Sequence, residues 1–247
     1  MSKTILVTGS AKGIGAAIIR EFASIGYNCV INYLTSYKEA IELEKEISKL
    51  GVKVLAIKAD VSNEEEVDQM FKKIEQAFGG VDVLVNNASI DISDVFEKKN
   101  VSDFKKTLDI NVIGAYIVSR RAYKYMDDNK WGRIINISST NSMNTYYPMC
   151  LEYDASKAAL NSLTHNLAIQ FAPFINVNAI APGFIGTSSE LEGYDEEFLK
   201  VETEKILVRR VGKPSDVSKV VKFLASEDAN YINNTIIRVD GGQFSSN

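Results

Sequence analysis

The chain is poor in histidine, cysteine and proline, and each scarcity removes a class of explanation. Two cysteines, Cys29 and Cys150, give no disulfide framework, so a reducing compartment is the simpler expectation. One histidine, His165, leaves no spacing of His, Cys or paired carboxylates suited to a metal, and none is expected. A Ser-His hydrolase would need that histidine near a nucleophile; it reads instead as a packing or surface residue. Four prolines and no Gly- or Ser-rich run leave little to announce a hinge, so residues 1–247 are expected to form one domain. No apolar stretch approaches the roughly 20 residues of a membrane span. Met1-Ser2-Lys3-Thr4 runs straight into a candidate strand, without an apolar signal segment, and cytoplasmic residence is expected. With 28 basic against 32 acidic residues, a net charge of −4 and no basic run, a nucleic-acid partner is not expected, because phosphate binding needs clustered Lys and Arg.

What is present is alternation. Short β-branched runs at Thr4–Thr8, Cys29–Tyr33, Val52–Lys58, Val81–Asn86, Arg133–Ser138, Asn176–Ala181 and Thr235–Val239 read as strands. Helix-periodic stretches lie between them, at Ile14–Gly26, Tyr37–Leu50, Asn63–Phe78, Val101–Met126, Glu152–Phe171 and Ser215–Ala225. That order predicts an α/β fold, a Rossmann-type doubly wound parallel sheet of about seven strands with helices on both faces. Caps are predicted at Ser62 or Asn63, at Ser102 or Asp103, and at Pro214-Ser215-Asp216. Gly26 and Gly51 are placed to end two helices. Residues 186–210 break the alternation, acidic first (Glu190, Glu192, Asp195, Glu196, Glu197) and then basic (Arg209, Arg210), and are expected to form a lid over the carboxyl edge of the sheet.

Thr8–Gly15 joins the first strand to the first helix and contains Gly9, Gly13 and Gly15. A helix start with outward N–H groups and a favourable dipole suits a dinucleotide pyrophosphate. Gly9 permits a sharp turn, Gly13 a close backbone approach to phosphate, and Gly15 close helix packing. The end of the second strand, which meets the adenosine ribose in such folds, reads Asn32-Tyr33-Leu34-Thr35-Ser36 and carries no carboxylate. Lys12 adds positive charge, and Thr35 and Ser36 add hydroxyls, so NADP is expected over NAD.

Tyr153 and Lys157 lie four apart on a predicted helix and project from one face. A phenol of pKa about 10 shuttles a proton poorly at neutral pH, and a neighbouring ammonium brings it nearer the working range. A serine pair, Ser138-Ser139, ends the preceding strand at the edge where open α/β sheets bind ligands. Cys150 has no basic partner beside it and reads as pocket lining.

Together, the Gly-x3-Gly-x-Gly spacing, Asp60, Asn86-Asn87-Ala88, Tyr153-x3-Lys157 and Pro182-Gly183 resemble the classical short-chain dehydrogenase/reductase family over nearly the whole chain. Within it, Gly132–Ser139 and Val239-Asp240-Gly241-Gly242 are most similar to 3-oxoacyl-acyl-carrier-protein reductases. The resemblance implies reduction of a carbonyl by hydride transfer, with Tyr153 as acid, Ser139 holding the substrate oxygen, Lys157 on the nicotinamide ribose and Asn111 holding a relay water. It further implies cofactor contacts from Ser10, Ile14, Asp60, Val61, Asn87, Ala88, Pro182, Gly183, Ile185 and Thr187, besides Gly9, Lys12, Gly13, Gly15, Asn32, Tyr33 and Thr35. It implies a homotetramer and a small-molecule or acyl-carrier-linked carbonyl substrate. An NAD-dependent alcohol, sugar or steroid dehydrogenase is the alternative on the same scaffold. A non-catalytic dinucleotide sensor is the alternative of another class, against which the retained Ser139, Tyr153 and Lys157 argue. Two features depart from the family pattern. Ser89 stands where it has glycine, and Asn141–Glu152, with Tyr146, Tyr147, Pro148 and Met149, is bulky where relatives are small. An acidic carrier calls for basic residues at the pocket mouth; Lys130 and Arg133 are the nearest in sequence before the fifth strand.

Overall fold

The computed structural model describes residues 2–144, 149–187 and 193–243. Seven strands form one sheet in the order β3-β2-β1-β4-β5-β6-β7, all neighbours parallel. They are β1 (Thr4–Val7), β2 (Asn28–Tyr33), β3 (Val54–Lys58), β4 (Val83–Asn86), β5 (Gly132–Ile137), β6 (Ile175–Pro182) and β7 (Ile236–Val239). Every predicted strand is present, with ends shifted by two residues or fewer. The central strands are buried on both faces, which is why they read as apolar runs without alternation.

Helices α1 (Gly13–Ala23), α2 (Tyr37–Ser48) and α8 (Pro214–Leu224) cover one face. Phe22, Ile18, Leu43, Ile47, Val217 and Val221 pack there against Ile5, Val7 and Ile31. Helices α3 (Glu64–Phe78), α4 (Val101–Leu108), α5 (Ala115–Asp128) and α6 (Leu151–Phe171) cover the other. Met70, Ile74, Val118, Met126 and Leu167 meet Leu6, Leu84 and Ile134 on that side. The side chain of Asn63 caps α3 by accepting from the N–H groups of Glu65 and Glu66. Gly26 and Gly51 have φ of +88° and +79°, with nothing within 4 Å of an added Cβ, so backbone conformation alone selects glycine there.

Two local expectations are corrected. The α4 cap is Asn100, accepting from Asp103 N–H at 2.9 Å, instead of Ser102 or Asp103. The single helix Val101–Met126 is α4 and α5 joined by a π-helical turn at Asp109–Gly114, with Asn111 inside it. A one-residue shift in helical hydrogen bonding leaves no mark on apolar spacing, and such turns occur mostly at functional sites. Within residues 186–210 the described part holds α7 (Glu196–Glu204), while Glu190 and Glu192 lie outside the described residues. Among the described residues no helix is long and apolar enough to cross a membrane, and no group of three or more His, Cys, Asp or Glu could hold a metal.

Candidate active site

The chain leaves β1 toward β3 on one side and returns to β4 on the other, so the loops after β1 and β4 diverge at the carboxyl edge. Thr8 and Asn87 stitch the two loops together. Asn87 and Ala88 N–H donate to Thr8 Oγ1 at 2.9 and 3.0 Å, and Asn87 Nδ2 donates to the carbonyls of Thr8 and Gly9. The loops pass so closely that a Cβ on Gly9 would come within 2.8 Å of Ala88 Cα, and one on Gly15 within 2.6 Å of Ser10 Cα. Gly9 and Gly13 both have φ of +59°. Gly15 is therefore a packing glycine against the turn itself. Lys12 precedes α1 without a side-chain cap, leaving the first N–H groups of the helix to face the crevice.

Two adjoining cavities of about 640 and 410 Å³ run along this edge. The smaller is lined by Gly9, Lys12, Gly13, Asn32, Tyr33, Thr35, Asp60, Val61 and Ala88 among others. The larger takes in Ser139, Tyr153, Lys157, Pro182, Gly183 and Ile185. Ile14, Asn87, Ser89 and Thr187 line both, which makes one continuous trench. All but three of the expected site residues lie on it. Ser10 is buried, its hydroxyl donating to Val7 O at 2.8 Å, and Gly15 sits beneath the turn. Asn111 also stands behind the wall, and it links three segments. Its Nδ2 donates to Ile90 O and to Ser156 Oγ, both at 2.9 Å, and its Oδ1 accepts from Ile90 N–H at 2.8 Å.

Asn32 lines the trench with its side chain already engaged. Oδ1 accepts from Gly9 N–H at 3.1 Å and Nδ2 donates to Ala59 O at 3.0 Å, so it braces the glycine turn against β3. Asp60 is likewise engaged, accepting from Ser62 N–H and Oγ at 2.9 and 2.7 Å. Among the described residues the smaller cavity accordingly offers Lys12 and Asp60 as its charged groups, and no carboxylate from the end of β2.

In the larger cavity, α6 starts at Leu151 and carries Tyr153 and Lys157 one turn apart beneath the end of β5. Ser139 lines the cavity beside Tyr153, and Lys157 Nζ lies 5.3 Å from the centre of the Tyr153 ring. Nζ donates to Ile137 O at 2.8 Å, and Ser138 Oγ is turned away, donating to Lys157 O at 3.3 Å. Ser138 is thus engaged with the backbone, and Ser139 is the serine whose hydroxyl bears on the Tyr153 phenol. Burial raises the phenol above its ordinary value; the Ser139 hydroxyl opposes the rise, and the Asp91, Cys150 and Asp154 charges add to it. Burial pushes the Lys157 ammonium down to about 7. Cys150 lines the cavity as expected, its thiol pushed up to about 11 mainly by burial. His165 is remote and exposed, its Nδ1 2.5 Å from Asn234 Oδ1.

Sequence reading missed several cavity residues. Asp91, Ser93 and Asn141 line it, with Asp154 behind Asn141 at 2.8 Å; burial pushes the Asp154 carboxyl up to about 6. Phe184, Tyr194 and Phe198 form an aromatic wall, with Tyr194 and Phe198 stacked at 4.5 Å. No motif marks these positions; only the aromatic and acidic bias after β4 and β6 hinted at them. Met149 lines the cavity, while Tyr146, Tyr147 and Pro148 lie outside the described residues. Lys130 and Arg133 sit at the amino end of β5, about 20 Å of strand from the pocket, and Arg133 is buried against Trp131. They do not serve its mouth.

Comparison with known proteins agrees with this architecture. A family model described as enoyl-(acyl carrier protein) reductase matches residues 9–243. The chain is 39% identical over 243 residues to 3beta-hydroxysteroid dehydrogenase 1 of Eggerthella lenta, covering 97% of this chain and 93% of the relative. It is 36% identical over 243 residues to 3-oxoacyl-acyl-carrier-protein reductase FabG of Aquifex aeolicus, covering 98% and 97%. The solved structure of a mutant short-chain dehydrogenase/reductase of Serratia marcescens superposes with a TM-score of 0.90 at 32% identity, covering 97% of each chain. Parallel sheet, glycine-turn crevice and sequence together make this chain a member of the short-chain dehydrogenase/reductase family, an oxidoreductase that uses a nicotinamide dinucleotide.

Proposed function

We propose that the protein is an NADP(H)-dependent carbonyl reductase in which Tyr153 gives the proton, Ser139 holds the substrate oxygen and Lys157 holds the nicotinamide ribose. The observation that carries this reading is the meeting of Ser139, Tyr153 and Lys157 on one cavity, with Lys157 Nζ 5.3 Å from the Tyr153 ring, beside the glycine-turn trench. The trench fits a dinucleotide: the uncapped start of α1 and the glycine cradle suit a pyrophosphate. When bound there, the nicotinamide supplies a hydride to the carbonyl carbon. Around that centre, Ser139 and Tyr153 aim two hydroxyls at one oxygen and stabilise its developing charge. Tyr153, kept protonated by burial, transfers its proton to the alkoxide. Asn111, in the π-helical turn, ties that turn to α6 through Ser156 and suits the proton-relay role the family resemblance gives it.

NADP is favoured over NAD by the absence of a carboxylate at the end of β2 and by Lys12 on the same cavity. A diffusible ketone is favoured over a carrier-linked thioester, because Asp91 and Lys157 are the charged residues of the larger cavity among those described. The 36% identity to FabG keeps the thioester as the second reading. Exposed Val101, Ile113, Tyr116, Leu151 and Ile169 on α4 to α6 support a homotetramer built on that layer. Cytoplasmic residence, with both cysteines free thiols, belongs to the same proposal.

Spectrophotometric NADPH and NADH oxidation against a panel of ketones tests the reading. Tyr153→Phe is expected to lower kcat by about 10²- to 10⁴-fold. Turnover at the wild-type rate in that variant would overturn the mechanism. Lys12→Ala should weaken NADPH binding roughly tenfold and NADH binding hardly at all, as expected for loss of one charge-assisted contact.

A further inference from the structure

The two sides of the larger cavity are chemically unlike. Strands β4, β5 and β6 are neighbours, so Ser139 after β5 stands between the segment that follows β4 and the one that follows β6. Two strand spacings separate those segments, about 10 Å. The segment after β4 carries Asp91, whose Oδ2 accepts from Ser93 Oγ at 2.8 Å and from Cys150 Sγ at 3.4 Å. Among the described residues nothing donates to its Oδ1. Its charge bears directly on the reacting position, since it contributes to raising Tyr153, Cys150 and Asp154 alike.

The other side is aromatic. Phe184 follows β6, Tyr194 precedes α7 and Phe198 lies in it. Phe184 meets Tyr194 and Phe198 edge-on at 5.7 and 6.2 Å, and the latter two stack at 4.5 Å. Phe184 is held at its backbone, where its N–H donates to Oε1 of the buried Gln243 at 2.9 Å. The result is an aromatic wall whose base at Phe184 is fixed.

We propose that Asp91 is a specificity-determining residue, and that the substrate is a hydroxylated ring ketone whose apolar ring packs against the Phe184, Tyr194 and Phe198 wall while a second hydroxyl donates to Asp91. This rests on the carbonyl-reductase reading and narrows its substrate class. A plain acyl chain gains from the aromatic wall but forgoes a hydrogen bond to Asp91, which is exposed at the cavity edge. A substrate with a carboxylate or phosphate at that end is repelled by the same charge. Lys157 on the same cavity counts against a cation. A neutral hydroxyl satisfies Asp91 without either penalty.

The test uses paired ketones of one, two and four rings, each with and without one hydroxyl remote from the carbonyl, and a 3-oxoacyl thioester as comparison. The ratio of kcat/KM within each pair is the readout, since a general effect of Asp91 on Tyr153 cancels in it. Wild-type protein is expected to favour the hydroxylated member at least tenfold in one or more pairs, the worth of a hydrogen bond to a charged group. Asp91→Asn should give an intermediate ratio and Asp91→Ala a ratio near one. Equal kcat/KM within every wild-type pair overturns the inference, and so does an unchanged ratio in a folded Asp91→Ala. Those outcomes leave the reductase reading standing if Tyr153→Phe abolishes turnover of both members. No cofactor oxidation with any carbonyl would remove both proposals together.

Discussion

Lys157 is 2% exposed and its ammonium donates to Ile137 O, so the folded chain holds this charge at a cost in solvation. With its folded pKa near 7 and an unfolded value near 10.4, the unfolded chain binds more protons between those limits. Wild-type stability should therefore gain from this group as pH rises from about 7 toward 10. Lys157→Met, which removes the charge and keeps the bulk, is expected to raise Tm by about 2–4 °C at pH 7 and to abolish turnover. The gain should shrink by pH 10, where the wild-type side chain is neutral; a pH series of thermal melts checks the sign. Gly15→Ala should do the reverse, because its Cβ would meet Ser10 Cα at 2.6 Å, destabilising the fold by about 1–3 kcal/mol and loosening dinucleotide binding. At this scale Tyr153 and Lys157 stand out by their spacing together with their place after a strand, and only the family resemblance selects Ser139 from the Ser138-Ser139 pair. Asn32 does not stand out, since its work as a brace depends on Gly9 and Ala59 arriving from elsewhere in the chain. Asp91 and Asp154 come near Tyr153 only through the fold.

Elements are joined at the site by one well-buried ion pair. Lys99, from the segment after β4, donates to Ile92 O and to Glu152 at 2.7 Å each, and Glu152 is 1% exposed on the first turn of α6 beside Tyr153. Removing one partner strands the other, so Lys99→Met is expected to cost about 3 kcal/mol, and Lys99→Met with Glu152→Gln appreciably less. Denaturant unfolding of the two variants measures the difference. Neither half of this pair stood out in the sequence, because surface lysines and glutamates look the same before the chain folds. The strands and most helices were legible from apolar periodicity and from turn residues such as Gly26 and Gly51. The π-helical turn around Asn111 was not, since it preserves the composition of a helix while changing its hydrogen bonding.

For the molecule as a whole, a doubly wound parallel sheet of about seven strands followed from alternation, while the order of its strands emerged only in the fold. Surface chemistry was harder to read. Lys130 and Arg133 are near β5 in sequence but at the wrong end of it, and their positions matter only once the strand has a direction. Assembly has a direct test. Ile169 is 71% exposed on α6 in the isolated chain, and Ile169→Asp is expected to shift light-scattering mass from tetramer toward smaller species. A wild-type monomer at micromolar concentration would refute the assembly.

Thr187 stands on both cavities, and its Cγ2 lies 3.3 Å from where a Cβ on Gly13 would be. The root of the segment that bears Tyr194 and Phe198 therefore touches the turn that would cradle pyrophosphate. A dinucleotide in the smaller cavity would lie against Thr187, which also lines the larger one, before any ketone arrives, so steady-state kinetics should obey an ordered sequence. Dinucleotide leads, and a dead-end ketone analogue should inhibit uncompetitively against it.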